Sequence, residues 1–218
     1  MKLGLTANQT TGLSLLVLLL GCACLAVGSY PAVIAGTVFV NLWLVLDFVD
    51  GNIARYERSS SHYGEFIDAL GAFTAHTAFF AAGAGFYIAR DSLIYAKFSF
   101  TADYAFLVFL AGSIASLTAI WIRLLYQKFK NTFPDSDIEK HDALIDGEAT
   151  SSFRTILRIG HNLINLSGLL LPVFFLAALF RVLDVFLFAV AAANSLILVI
   201  TTIRLLKRGA RADCAMSG

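Results

Sequence analysis

Charged residues are scarce in this chain: only 14% of its 218 residues are Asp, Glu, Lys or Arg, whereas 58% are hydrophobic. A mean hydropathy of +0.77 is too apolar for a soluble domain and supports several membrane helices. Cysteine is also sparse, and two of the three cysteines lie in the first apolar run, which argues against a disulfide framework or a thiolate zinc site. The net charge is only +1 and no basic run is interleaved with aromatics, so nothing indicates a nucleic-acid partner.

Long hydrophobic stretches are the dominant feature that is present. Each is compatible with the roughly 20 residues that a membrane-spanning helix requires. They predict an all-α integral membrane protein, with six transmembrane helices near 11–29, 31–55, 63–89, 101–126, 159–180 and 182–205. One membrane domain over 1–218 accounts for the chain, and the polar, acidic stretch 127–150 is predicted to be a cytoplasmic loop.

Positive charges are distributed unequally between the two ends of these predicted helices. Thirteen of the 16 Lys and Arg residues fall on the side of the N-terminus, and only Arg90, Lys97 and Arg181 fall on the other. The positive-inside rule therefore predicts that both termini face the cytoplasm. We expect a multi-pass protein of a cell (inner) membrane.

Three aspartates, Asp47, Asp50 and Asp68, lie within or beside the apolar segments. An aspartate near the centre of a membrane helix costs about 2.5 to 3.5 kcal/mol on insertion scales, so ordered aspartates indicate an ion or substrate that compensates them. Asp47 and Asp50 lie within about 60° of each other on one helix face, and Asp68 follows on the next predicted helix. Carboxylate ligands suit Mg²⁺, Mn²⁺ or Ca²⁺, with a diphosphate as the natural substrate. The alternative is that the aspartates are helix caps or ion-pair partners of Arg55 and Arg58.

Small and basic residues accompany the aspartates. Gly51 has no side chain, which leaves room for a bulky group to approach. Ala54, one turn later, adds only a methyl group to the same face of the helix. Arg55 supplies a permanent positive charge that is suited to phosphate. Gly64 opens the next hydrophobic segment, one turn before Asp68.

From Asp47 to Asp68 the segment reads D-x2-D-G-x2-A-R-x8-G-x3-D, which closely resembles the signature of the CDP-alcohol phosphotransferases. The stretch LTANQTT is similar to the amphipathic lead-in of many members, so 1–10 is expected to be such a lead-in. The resemblance implies a six-helix membrane enzyme, usually a homodimer, with a cytoplasm-facing polar active-site cavity. It implies transfer of a phosphatidyl or phosphoalcohol group from a CDP-linked donor, such as CDP-diacylglycerol, to an alcohol, with release of CMP, in phospholipid biosynthesis.

The resemblance also implies roles for individual residues. Asp47, Asp50 and Asp68 would hold one or two Mg²⁺ or Mn²⁺ ions, with Asp68 also counted among the catalytic residues. Room for the cytidine diphosphate would come from Gly51, Ala54 and Gly64, and Arg55 would neutralise a phosphate oxygen.

One position departs from the signature. The family pattern continues to a fourth aspartate, thought to deprotonate the acceptor hydroxyl and to help hold a second metal, where this chain has Ala72. Four explanations stay open. His76, one helical turn further along, acts as the base; the acceptor brings an ionised phosphate or carboxylate; Glu65 or His62 supplies the base; or the position carries a substitution or the activity has been lost.

A second polar stripe enters the predicted fifth helix. Arg154, Arg158, His161 and Asn165 recur at helical spacing and form a candidate acceptor pocket, in which arginine binds an anionic group and Asn165 reads a hydroxyl. The alternative is that the arginines meet lipid headgroups. The rival functional class is a non-catalytic family relative that acts as a membrane binding or scaffold protein. A transporter is less favoured, because the ionisable residues gather at one end of the helices.

Overall fold

The structure is a computed structural model that describes residues 7–57, 62–98, 102–133 and 169–216. All the regular elements in these ranges are helices: α1 (Ala7–Val27), α2 (Tyr30–Glu57), α3 (His62–Ala89), α4 (Leu93–Phe98), α5 (Ala102–Thr132), α6 (Leu171–Leu179) and α7 (Leu183–Met216). Five stretches, in α1, α2, α3 with α4, α5 and α7, are long and apolar enough to cross a membrane. The predicted fold class, an all-α integral membrane protein, is confirmed.

Several helix ends differ from the predicted spans. α1 begins at Ala7, inside the predicted lead-in 1–10, and α5 continues to Thr132, so the predicted loop 127–150 begins with six helical residues. α7 likewise continues to Met216, beyond the predicted end at 205. Hydropathy marks the part of a helix that lies in lipid, whereas backbone hydrogen bonding continues past it into water. At these ends the helices are therefore longer than the predicted spans.

The predicted fifth span, 159–180, is only partly described. Its residues from 169 onward contain α6, which starts with Leu171 and Pro172, and its earlier residues lie outside the described ranges. The number of six transmembrane helices therefore stays a prediction.

α1 packs along both α2 and α3, which touch each other much less. α3 packs on α5, α5 packs on α7, and α6 packs against α2. The first five helices are joined by short connections, and long helices joined in this way reverse direction at each step. α7 runs parallel to α5, because Asp184 at its start bonds to Tyr104 near the start of α5 and Gly209 near its end borders Phe133 just after α5. The end of α2, the start of α3 and the ends of α5 and α7 therefore lie at one end of the bundle, here called the motif end. The opposite end is called the far end.

Glycines allow three of these helix crossings. A Cβ on Gly36 would lie 2.8 Å from a backbone carbonyl oxygen of α1, and one on Gly112 would lie 2.5 Å from a backbone carbonyl oxygen of α3. Gly28, which has a φ of 79°, and Gly85 face each other so closely that a Cβ on either would collide with the backbone opposite. Close approach of backbones is how membrane helices gain packing energy without a hydrophobic driving force.

A buried carboxylate fastens the far end. Asp184, at the start of α7, is completely buried. Its Oδ2 accepts hydrogen bonds from the Ser92 hydroxyl at 2.8 Å and the Tyr104 hydroxyl at 3.0 Å, and its Oδ1 accepts one from the Val185 backbone N–H at 3.0 Å. These bonds tie α5 and the segment before α4 to α7.

Arg181, between α6 and α7, reinforces the far end. Its guanidinium lies 3.6 Å from an Asp91 carboxylate oxygen and 4.1 Å from the centroid of the Tyr30 ring. Its carbonyl oxygen accepts a hydrogen bond from the Leu93 N–H at 2.9 Å. These contacts hold the connections between the helices together at the far end.

Candidate active site at the end of α2 and the start of α3

The signature positions fall on two consecutive helices. α2 runs without interruption through Asp47, Asp50 and Arg55 to Glu57, and α3, which begins at His62, carries Gly64 and Asp68. Only the four residues 58–61 separate the two helices. α3 runs antiparallel to α2, so the aspartate-bearing parts of both helices lie at the motif end.

One face of α2 carries most of the signature. At about 100° per residue, Trp43, Asp47, Asp50 and Ala54 lie within roughly 60° of one another. Asp47 is partly buried, and Trp43, one turn deeper in the bundle, is 3% exposed. The side chains of Asp50, Ala54 and Arg55 lie outside the described part of the structure.

The matching side of α3 carries Gly64, Asp68 and Ala72 at successive turns. Asp68 is exposed, and Gly64 and Ala72 are partly buried. Gly71 lies about 60° from Asp68 around the helix. A Cβ on Gly71 would lie 3.6 Å from Nε1 of Trp43. The aspartate-bearing face of α2 therefore borders the aspartate-bearing side of α3.

His76 lies one turn beyond Ala72 and is partly buried. Its Nδ1 is buried and has no hydrogen-bond partner among the described residues. The His76 ring lies close enough to Arg123 on α5 for the two side chains to interact electrostatically. The Arg123 guanidinium is also 5.4 Å from the ring centroid of Phe73. His76 is rotated by about 80° from Asp68 around α3, toward α5. Its role as a base stays a prediction.

Two side chains beside the signature were not singled out from the sequence. Trp43 precedes Asp47 by four residues, and this helical spacing was a signal that could have found it. Arg123 lies on another helix, and only the packing of α5 on α3 shows that it approaches Phe73 and His76. Sequence spacing within one helix carries no information about that contact.

The residue types fit a divalent cation. Asp47, Asp50 and Asp68 offer only carboxylate oxygens, the donors that Mg²⁺ and Mn²⁺ prefer. Among the described side chains, no three His, Cys, Asp or Glu residues form a group that could hold a metal ion. That set does not include the side chain of Asp50, so the three-aspartate site stays a prediction.

The predicted acceptor pocket lies elsewhere in the chain. Arg154, Arg158, His161 and Asn165 fall in 134–168, outside the described ranges. The side chains of the alternative bases His62 and Glu65 are also outside them. None of these assignments is tested by the structure.

Comparison with known proteins bears on the first 145 residues. The family model of CDP-alcohol phosphatidyltransferase matches residues 4–145, well over half of the chain. The match includes α1 to α5 and the whole segment from Asp47 to Asp68. No curated protein matches the chain. The family transfers phosphoalcohol groups from a CDP-alcohol donor to an alcohol acceptor in lipid synthesis, in a membrane setting. The chain belongs to the CDP-alcohol phosphatidyltransferase family.

Proposed function

We propose that this protein is a metal-dependent transferase. It moves a phosphatidyl or phosphoalcohol group from a CDP-activated donor, CDP-diacylglycerol or a smaller CDP-alcohol, to an alcohol or an anionic acceptor, and releases CMP. The observation that carries the proposal is the position of Asp47, Asp50 and Asp68 on two adjoining helices, at one end of the bundle and within the family match. Isolated helix caps would not require this common location.

The aspartates would hold one or two Mg²⁺ or Mn²⁺ ions. A bound divalent ion neutralises charge that develops on the diphosphate as the phosphoanhydride breaks. Gly51 and Ala54 on α2 and Gly64 on α3 offer little side-chain bulk, which leaves room for the cytidine diphosphate. Arg55 places a permanent positive charge near a phosphate oxygen.

The transfer exchanges one P–O bond for another. The acceptor oxygen bonds to the phosphorus that carries the donor's alcohol, the bond from that phosphorus to the bridging oxygen breaks, and CMP leaves with the electron pair. A hydroxyl acceptor must also give up its proton. Ala72 cannot accept it, so we assign this step to His76, with Asp68 beside the reacting groups. An acceptor that is already ionised needs no base.

The remaining assignments complete the proposal. Arg154, Arg158, His161 and Asn165 would bind the acceptor, two copies of the chain would form a homodimer, and the motif end would face the cytoplasm. The unequal distribution of Lys and Arg supports this orientation, which lets a water-soluble nucleotide reach the aspartates.

The test is CMP release by purified protein in lipid. CDP-diacylglycerol and small CDP-alcohols are offered with pooled acceptors, in the presence of Mg²⁺ or Mn²⁺ and again with a chelator. We expect metal-dependent release that Asp50→Asn abolishes. Asp103→Asn is the matched control, because Asp103 is exposed in the first turn of α5 at the far end, and it should leave release unchanged.

A different outcome would favour the rival class. If no donor and acceptor pair yields CMP while a CDP-alcohol still binds, the protein is a non-catalytic membrane binding or scaffold relative. Release that is unaffected by Asp50→Asn would instead remove the three-aspartate site from the mechanism.

A further inference from the structure

Trp43 is a buried hydrogen-bond donor without an acceptor. Its side chain is 3% exposed, and no described residue accepts a hydrogen bond from its Nε1–H. An indole nitrogen only donates, and a buried tryptophan usually has a partner for it. A buried polar group that lacks a partner costs free energy, and the apolar stretch Tyr30–Val49 around it offers little water as a substitute. The missing acceptor is therefore expected to come from a ligand.

The indole lies directly beneath the candidate active site. Trp43 shares the face of α2 that carries Asp47 and Asp50, about 6 Å further from the motif end than Asp47 along the helix axis. Across from it, α3 presents Gly71, next to Ala72. Apart from the adjoining residues and the backbone of α3, Nε1 is the one described atom within 4 Å of the point where a Gly71 Cβ would be. Gly71 is itself buried and has no side chain, so the indole nitrogen borders the backbone of α3 with no other described side chain between them.

The position selects the chemistry of the ligand. Trp43 lies further from the motif end than the carboxylates, which is called the membrane side here. A neutral N–H donor in this position suits an oxygen atom that is attached to the reacting phosphorus or lies on the membrane side of that phosphorus. The alcohol moiety of a CDP-activated donor carries such oxygens, and so does the hydroxyl of an acceptor.

We propose that Nε1–H of Trp43 donates a hydrogen bond to a substrate oxygen on the membrane side of the transferred phosphorus, beside Gly71. This inference rests on the proposed transferase function and adds a substrate-binding residue that the signature does not contain. It also explains why a glycine faces the indole.

The first test uses the fluorescence of Trp43. The chain has two tryptophans, and the second, Trp121, is 58% exposed on α5, so Trp121→Phe leaves Trp43 as the sole indole. In this variant we expect a shift of the emission maximum with CDP-diacylglycerol or a CDP-alcohol, or with the acceptor, but not with CMP alone. The substrate that produces the shift is the source of the oxygen. Trp43→Phe, which retains only Trp121, should show no shift.

The second test separates hydrogen bonding from packing. Gly71→Ala places a methyl group 3.6 Å from Nε1, an ordinary contact that does not force the helices apart but competes with a substrate oxygen for the place beside the N–H. We expect a rise of about tenfold in KM for the substrate that shifts Trp43 emission, equivalent to about 1.4 kcal/mol of binding free energy. Trp43→Phe should raise the same KM. Gly12→Ala is the control, because the added Cβ meets no described atom of another part of the chain within 4 Å, and it should change neither KM nor kcat.

The outcomes separate this inference from the proposed function. If the Trp121→Phe protein releases CMP but neither substrate alters Trp43 emission, or if Gly71→Ala leaves both KM values unchanged, the inference is overturned and the transferase stands. If no CMP is released but a CDP-linked donor shifts the emission, Trp43 contacts the donor in a non-catalytic protein. Neither release nor a shift would overturn both.

Discussion

At the scale of single residues, the two ends of the bundle differ in how their polar atoms are satisfied. The carboxylate of Asp184 at the far end accepts bonds from Ser92, Tyr104 and Val185. By contrast, the buried side-chain nitrogens without a hydrogen-bond partner in the described ranges are Nε1 of Trp43 and Nδ1 of His76. Both lie on the helices that carry the signature, which is where a substrate would supply partners.

Asp184 is expected to matter for stability and not for chemistry. Asp184→Ala leaves the hydroxyls of Ser92 and Tyr104 without their buried acceptor, and the loss should cost about 3 kcal/mol of unfolding free energy. A lower midpoint of thermal unfolding in detergent would show this effect. Asp103→Ala removes an exposed aspartate near the same end and should leave the midpoint unchanged; equal midpoints for the two variants would contradict the prediction.

His76 is expected to act as the base, and Ala72 offers a way to test it. His76→Ala should lower kcat by a factor of 10² or more, the usual contribution of a general base, with little change in KM for the donor. Adding Ala72→Asp restores the carboxylate of the family signature and should recover much of the lost rate. Steady-state CMP release from the single and double variants gives the comparison. A His76→Ala protein with unchanged kcat would assign the base elsewhere or make it unnecessary.

At the scale of helices, the sequence predicted the two that matter most. Hydropathy located α2 and α3 to within about two residues at each end. The predicted positions of Asp47 and Asp50 on the first of these helices and of Asp68 on the second agree with the structure. It did not predict that α1 lies along both α2 and α3, because apolar stretches of similar length can pack in many orders and the close contacts of glycines decide among them. For the same reason Arg123 could not be assigned to the neighbourhood of His76.

The crossing of α1 and α3 offers a test of this packing. Gly85→Ala would drive a Cβ into the backbone carbonyl of Leu25, so the helices must separate. Overpacking of this kind typically costs about 1–3 kcal/mol of unfolding free energy. Gly85→Ala should therefore lower the midpoint of thermal unfolding clearly. Gly12→Ala, where the added methyl meets no described atom of another part of the chain within 4 Å, should be neutral or slightly stabilising. If both variants unfold at the same temperature, the close crossing is absent.

At the scale of the whole molecule, the proposed chemistry depends on which end faces the cytoplasm. Among the described residues, the motif end carries most of the Lys and Arg, including Lys130 in the last turn of α5 and Lys207 and Arg208 in the second half of α7. The far end carries Arg90, Lys97 and Arg181. This asymmetry predicts that the nucleotide enters and CMP leaves on the cytoplasmic side.

Chemical labelling in intact cells can determine this orientation. In a background without Cys22, Cys24 and Cys214, single cysteines are introduced by Lys97→Cys at the far end and Asn131→Cys at the motif end, both at exposed positions. A maleimide that cannot cross the membrane should label the first variant directly and the second only after permeabilisation. The reverse pattern would place the aspartates outside the cell.

The lengths of α5 and α7 have a practical consequence. Their 31 and 34 residues correspond to about 46 and 51 Å, whereas the hydrocarbon core is about 30 Å thick. At the motif end they pack together, and a Cβ on Gly209 would lie 3.7 Å from the ring of Phe133. A protein of 23.6 kDa would otherwise be hidden in a detergent micelle, where electron cryomicroscopy images contain little signal for alignment. An antibody fragment against this protruding helix pair would give each particle a rigid external mark.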